Sequence, residues 1–235
     1  QGGFNLNLGL DPNSQNSNLY YDPEFLTNYE IGFNSKIEEL NLNLAAVIFH
    51  SDRKDQQVLI STQVDLNDPN TFTFLTQNAA EGTNNGVELE MDFQLSKNLD
   101  VFINFGLLKT EIKSWKSRPE IEGRAQAHAP EKSYAVGFNW YPSEQSSFSL
   151  DMVGKSSFYY SDSHDNKSKS YFLTNINYSY FHDQWTYSIW GRNIFDEYYS
   201  TRGFYFGNEA PNFIDTLYER HGDPRHLGVT VRYDF

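Results

Sequence analysis

A chain of 235 residues with 31 Asp and Glu against 18 Lys and Arg, net charge -13, is not a nucleic-acid binder, which needs a basic surface. Its mean hydropathy is -0.64, and no run approaches the roughly 18 apolar residues of a membrane helix. Yet 17% of the residues are aromatic, with 16 Tyr, 19 Phe and 4 Trp, a heavy load for a charged soluble domain.

A membrane β-barrel reconciles these facts, because only every second strand residue meets lipid while the lumen and loops stay polar. The absence of cysteine suits an envelope protein that needs no staples. The acidic balance reads as solubility rather than cation binding. No basic-then-apolar leader opens the sequence at Gln1, so the expectation is a chain that is processed, truncated or both.

Period-two alternation marks the strands in chain order. Residues 4–10 read as the end of one strand. Tyr29, Ile31 and Phe33 then alternate with Glu30, Gly32 and Asn34, and Leu40, Leu42 and Leu44 with Asn41 and Asn43. Val87, Leu89, Met91, Phe93 and Leu95 alternate with Gly86, Glu88, Glu90, Asp92 and Gln94. Three acids on one strand face suit a wet lumen, since an unpaired charge in a packed core costs several kcal/mol.

Apolar faces follow at Leu99–Leu107, Tyr134–Trp140, Phe148–Met152, Phe172–Tyr180 and Trp185–Ile189. The last alternation sets Leu227, Val229, Val231, Tyr233 and Phe235 against His226, Gly228, Thr230, Arg232 and Asp234. The total is about ten strands, each near the length that crosses a bilayer at a tilt of about 45°.

The connections alternate too. Those near residues 37–39, 96–98, 142–146 and 182–184 are short, and those at 11–26, 51–84, 111–132, 159–170 and 196–224 are long. Short periplasmic turns and longer extracellular loops produce this pattern, and it leaves Phe235 in the periplasm. Trp140, Tyr141, Phe181, Trp185, Tyr233 and Phe235 cluster beside the short turns, as an interfacial girdle requires.

Five motifs in order resemble the C-terminal part of TonB-dependent outer-membrane receptors. They are Pro23-Glu24 with Asn28-Tyr29-Glu30-Ile31-Gly32, Asn78-Ala79 with Gly86-Val87-Glu88-Leu89-Glu90, Ala129-Pro130, the Gly191–Tyr199 run GRNIFDEYY, and Pro224-Arg225 leading to Tyr233-Asp234-Phe235. The resemblance implies an all-β antiparallel transmembrane barrel, with residues 1–235 supplying about ten of its roughly 22 strands and no second domain or plug within them. It implies a place in the cell outer membrane, in contact with its lipid, and energy drawn from the TonB system through an N-terminal region outside this sequence. The terminal residues Val229, Val231, Tyr233 and Phe235 resemble the signal read by the barrel-assembly machinery; an edge strand with unpaired N–H and C=O groups is a template for strand addition.

By the same resemblance the cargo is a scarce extracellular small ligand, usually an iron-siderophore, with cobalamin, haem or oligosaccharide as alternatives. No nucleophile motif, Cys/His metal spacing or glycine-rich phosphate loop is found, so no enzyme and no cofactor are expected. A passive pore or omptin-like surface protease is the other barrel reading, and a soluble β-rich module the third. Alternation places Lys155, Tyr159, Tyr171, Arg192 and His226 on the lumen face near the outer rim, and the last long loop adds Tyr199, Arg202, Phe204, Tyr205, Arg220 and His221. Arg among aromatics can grip an anionic or catecholate ligand by charge and stacking. Against this, Arg192 and Arg232 could simply pair with wall acids such as Glu88 and Glu90. His164 between Asp162 and Asp165 suggests a metal only weakly, and a solvated loop is preferred there.

Overall fold

The computed structural model describes residues 1–5, 19–63, 72–116, 118–162, 164–207 and 209–235. Thirteen strands run in chain order: β1 (Gly3–Phe4), β2 (Tyr20–Tyr21), β3 (Phe25–Ile37), β4 (Leu42–Gln63), β5 (Phe72–Ser96), β6 (Leu99–Trp115), β7 (Lys132–Ser143), β8 (Ser146–Lys155), β9 (Tyr171–His182), β10 (Trp185–Arg192), β11 (Ser200–Phe206), β12 (Thr216–His221) and β13 (His226–Tyr233). Nine form one sheet in the order β13-β10-β9-β8-β7-β6-β5-β4-β3, while β1 pairs with β2 and β11 with β12. Among the described residues there is no α-helix.

The sequence reading holds where one face is continuously apolar and fails where neither is. Leu40 belongs to a 3-10 turn, Glu38–Leu40, closed by Asn41 at φ 49. Asn tolerates this left-handed conformation, so the Leu-Asn-Leu alternation there is turn chemistry and the strand starts at Leu42. The expected loop 51–84 is mostly strand, since β4 continues to Gln63 and β5 begins at Phe72. Ladder hydrogen bonds need no apolar stripe, and Asp52, Arg53, Lys54, Asp55, Gln56 and Gln57 display none. The expected loops 111–132 and 196–224 likewise contain the end of β6 and the β11–β12 hairpin. Of the strand expected at residues 4–10, Phe4 lies in β1 and residues 6–10 fall outside the described ones.

The chain folds as two compact units, the first comprising residues 1–29, 49–85 and 110–125. Its small core is Val58, Ala79, Ala80, Ile112, Trp115 and Ile121. The motif residues of this unit are its hydrogen-bonding keystones. Asn78 accepts from the Asp22 amide at 2.6 Å and donates to the carbonyls of Asp22 and Asp55. Glu24 accepts the Gln57 amide at 2.8 Å and faces Arg53 at 3.4 Å, and Asn28 accepts the Ser51 hydroxyl.

The second unit, residues 30–48, 86–109 and 126–235, carries the regular wall. Register fixes its faces. Trp185, Tyr187 and Ile189 sit opposite Tyr233, Val231 and Val229 on β13. On the other side Tyr187 and Ile189 meet Tyr180 and Tyr178 of β9. Tyr178 meets Phe148, Leu150 meets Phe138, and Phe138 meets Val101, so the apolar row crosses six strands. It is bare, with Ile189 64%, Leu227 71% and Val229 72% exposed. An apolar surface this extensive marks a face that meets something other than water. At the turn end of the sheet Trp185 packs on Tyr233 at 4.8 Å, and Tyr233 on Phe235 at 5.0 Å. Phe181 pairs with Thr186 instead, so aromatic residues line both faces at this level.

Candidate functional site

The opposite face of the same wall is polar, and its top is built by the GRNIFDEYY run. Arg192 closes β10, paired with His226 at the start of β13. Asn193 follows at φ 47 and is 4% exposed. Its amide donates to Asn175 Oδ1 at 3.0 Å. Its Nδ2 donates to the carbonyls of Glu197 (2.9 Å) and Asp223 (3.1 Å), and its Oδ1 accepts the Glu197 amide at 2.8 Å. Asp196 accepts the Arg225 amide at 2.8 Å, and the Arg225 guanidinium reaches the Ile194 carbonyl. The two motifs that flank the β11–β12 excursion are therefore bonded to each other, and they fix where the hairpin stands.

Period two then divides the hairpin. Arg202 pairs with Arg220, Phe204 with Tyr218 and Phe206 with Thr216 on one face; Gly203 pairs with Glu219 and Tyr205 with Leu217 on the other. On the first face the Arg202 guanidinium covers the Phe204 ring at 4.7 Å, and Phe206 contacts Tyr218 at 5.5 Å. Two cations sit side by side with exposed aromatic rings, an arrangement that favours an anionic or π-rich partner.

The second face packs on the β8–β9 connection. Tyr160, 2% exposed, lays its ring over Gly203, meets Phe158 edge-on at 6.0 Å and donates its hydroxyl to Glu219. His164 lies 5.4 Å from Tyr205, and its Nδ1 accepts the Asn166 amide. Burial, reinforced by Glu219, pushes the Tyr160 phenol up to about 12, and the hydrogen bond from Tyr160 holds the Glu219 carboxyl below its ordinary value.

The signs give a pH window. A depressed carboxyl contributes stability that is present at neutral pH and lost as pH falls below about 4.5 toward its folded value; a raised phenol contributes stability lost as pH climbs from about 10 to about 12. Amide protection in β11 and β12, corrected for intrinsic exchange, is expected to be flat across neutral pH and to fall at both ends. The acid limb should vanish in Glu219→Gln; an unchanged acid limb would refute the assignment.

The residues singled out from sequence separate into distinct settings. Arg202 and Arg220 share the open hairpin face, while Tyr205 is on the packed one. Tyr171 and Tyr199 meet at a tilt, with ring centroids 4.6 Å apart. His221 is held by the Tyr198 hydroxyl at 2.6 Å and Ser200 at 3.2 Å. Tyr159 carries Lys167 over its ring at 4.1 Å, and Lys155 pairs with Tyr171 across β8 and β9. Arg192 and Arg232 do not pair with Glu88 or Glu90: Arg192 lies over Trp190 at 5.6 Å, and Arg232 binds Asp234 at 2.6 Å. Ser163 is outside the described residues, and among the described residues no group of three His, Asp or Glu could hold a metal. Asn193, Tyr160 and Glu219 were missed by the sequence reading. Asn193 lies within the Gly191–Tyr199 motif, and Gly203 amid aromatics was the signal for a ring packed against backbone.

Comparison with known proteins agrees with this fold. The model of the family described as TonB dependent receptor-like, beta-barrel matches residues 2–194. The ferric yersiniabactin uptake receptor FyuA of Yersinia pestis superposes with TM-score 0.73 at 18% identity, over 92% of this chain and 31% of its own. The siderophore receptor PiuA of Acinetobacter baumannii gives 0.73 at 18% over 94% and 30%, and the ferric-catecholate import receptor Fiu of E. coli 0.65 at 16% over 92% and 28%. The chain thus spans about a third of the length of these solved receptors. An antiparallel wall with one bare apolar face and one polar face, matched by the family over most of its length, is a portion of an outer-membrane barrel: this chain belongs to the TonB-dependent receptors, a family of transport receptors and not of enzymes.

Proposed function

We propose that residues 1–235 form one domain-sized part of the wall of a receptor that imports an anionic iron-siderophore complex with energy delivered through TonB. The observation that carries this reading is the pairing of Arg202 with Arg220 beside Phe204 and Tyr218 on the exposed hairpin face. FyuA, PiuA and Fiu, whose wall this chain resembles, are by name a ferric yersiniabactin uptake receptor, a siderophore receptor and a ferric-catecholate import receptor. In this reading the hairpin is extracellular, Tyr159, Tyr171, Arg192, Tyr199, Tyr205, His221 and His226 border the ligand path, and the C-terminus is periplasmic. Val229, Val231 and Tyr233 in β13, with Phe235 beyond it, serve the barrel-assembly machinery.

The test is binding of ferric catecholate, hydroxamate and carboxylate siderophores to the whole receptor in detergent, paired with growth under iron limitation. A charge-assisted hydrogen bond is worth about 1.5–3 kcal/mol, so Arg202→Ala with Arg220→Ala should weaken binding at least roughly a hundredfold and abolish growth on the bound siderophore. Binding of no ferric siderophore would sink the reading; equal binding by the double variant would sink the site.

A further inference from the structure

The loop end of the bare apolar face carries two cations. Lys132 of β7 pairs with Leu107, the last of the apolar row on β6, and Lys109 stands two residues further along β6 on the same face. Cross-strand diagonal neighbours of this kind lie about 7–8 Å apart, close enough for two flexible ammonium stems to converge on one group. Both side chains are exposed. Glu111, two residues past Lys109, is engaged with Lys113 at 2.7 Å, and among the described residues neither Lys109 nor Lys132 is paired with a carboxylate. The cations are confined to this column. The apolar rows of β8, β9, β10 and β13 end instead on Gly154, Phe172, Gly191 and Leu227.

Two levels follow below the cations. Tyr134 comes first, its ring lying across Gly154. Next, where the row turns to the shorter Val136 and Val101, a hollow of about 440 Å³ opens among Val101, Val136, Leu150 and Met152, bordered by Phe138 and Trp140. Cations at the top, an aromatic ring at the boundary and an apolar recess beneath match the head, neck and chain of an anionic lipid.

We propose that this column of β6 and β7 is a fixed site for a phosphorylated glycolipid of the outer leaflet, with its phosphate between Lys109 and Lys132 and an acyl chain in the hollow. Contact with lipid is common to any bare wall; a seat for one headgroup is not. Two cations without a carboxylate favour a phosphomonoester, whose charge is about -1.5 to -2 at neutral pH. A zwitterionic phospholipid head would bring its own ammonium against them. The proposal rests on the extracellular placement of the loop end in the reading above, and it is independent of any siderophore.

The experiment is native mass spectrometry of the whole receptor, released from detergent after addition of bisphosphorylated lipid A, dephosphorylated lipid A, phosphatidylglycerol or phosphatidylethanolamine at equal concentration. One bisphosphorylated lipid A per receptor should be held at least about tenfold more tightly than either phospholipid. Lys109→Ala with Lys132→Ala should remove about tenfold of that affinity and leave phosphorylated and dephosphorylated lipid A bound alike. Val136→Phe, which fills the hollow, should weaken both forms. Folding of the variants is checked by heat-modifiable gel mobility, and both should bind ferric siderophores as the wild type does. A receptor that holds lipid A but no ferric siderophore would sink the transport reading and leave this site standing. Equal retention of lipid A and phosphatidylethanolamine would mean an ordinary lipid shell and overturn the proposal. Equal retention of phosphatidylglycerol overturns it too, as does a phosphate preference that survives the double lysine variant or binding unaffected by Val136→Phe.

Discussion

Replacing Asn193 with Ala is expected to release the base of the β11–β12 hairpin while leaving the wall folded. The substitution strips the Glu197 amide and the Asp223 carbonyl of their side-chain partner at a position 4% exposed. A buried polar group left without a partner costs about 1–3 kcal/mol, and Ala at φ 47 adds about 1–2 kcal/mol that Asn largely escapes. Asp223 is exposed and its carbonyl can turn to water, so the Glu197 amide and the strain together come to about 2–5 kcal/mol, enough to free a two-stranded hairpin that is marginal by itself. Asn193→Gly removes the same side chain but keeps the left-handed backbone free of strain, so it should cost less than Ala by about the strain term. Hydrogen exchange on the whole receptor decides the matter. Amides of residues 197–223 should lose protection in Asn193→Ala, less so in Asn193→Gly, with β7 to β9 unchanged in both. Wild-type protection of 197–223 in the Ala variant would show that the hairpin is held by its packing on Tyr160 alone.

The wall was legible because one of its faces meets an apolar surrounding. From β7 to β10 and again in β13 every second residue is Tyr, Phe, Trp, Val, Ile or Leu with few exceptions, and register places those residues together. The continuation of β4 through residues 51–63 was not legible, since charged and amide side chains occupy both faces and the backbone pairs regardless. Leu40 misled for the converse reason: it satisfied the period while Asn41 closed a turn. Alternation is a statement about environment, and it fails as a guide to strand wherever the environment is the same on both sides.

The candidate site was legible by composition but not by geometry. The aromatic and Arg content of residues 199–221 is plain in the sequence, yet which face each one occupies depends on the Arg202–Arg220 register and the bulge between Ser200 and Arg202. Past the end of β8 at Lys155 strict alternation no longer applies, and Tyr160, not Tyr159, becomes the buried ring. The motif residues Asn78, Glu24, Asn28, Asn193 and Arg225 turn out to bond backbone or neighbouring side chains. They hold the scaffold, and the residues proposed to meet a ligand lie between them in the chain.

That division makes the contact of Tyr160 with Gly203 the most sensitive joint in the site. A Cβ at position 203 would overlap Cδ2 of Tyr160 and stand 2.7 Å from Cγ. The ring has no room to yield, being 2% exposed, set edge-on against Phe158 and tied to Glu219. Overpacking of this kind costs about 1–3 kcal/mol, and here it also threatens the Glu219 bond, so Gly203→Ala should lie at or above the top of that range. Tyr160→Ala alone removes a buried aromatic and should cost about 3–5 kcal/mol. The two changes are not independent: with the ring gone, the added methyl meets open space. The double variant is therefore expected to cost less than the sum of the singles, by roughly 1–3 kcal/mol of coupling. Melting of the whole receptor in detergent, read with exchange in β11 and β12, measures all four corners of the cycle. Additive losses would mean that the ring and the glycine do not meet in solution and that the hairpin stands free of the β8–β9 connection. Coupling of the expected sign would mean that the Arg202 and Arg220 face is held in position before any ligand arrives, because the ring packed on Gly203 fixes the strand that carries Arg202.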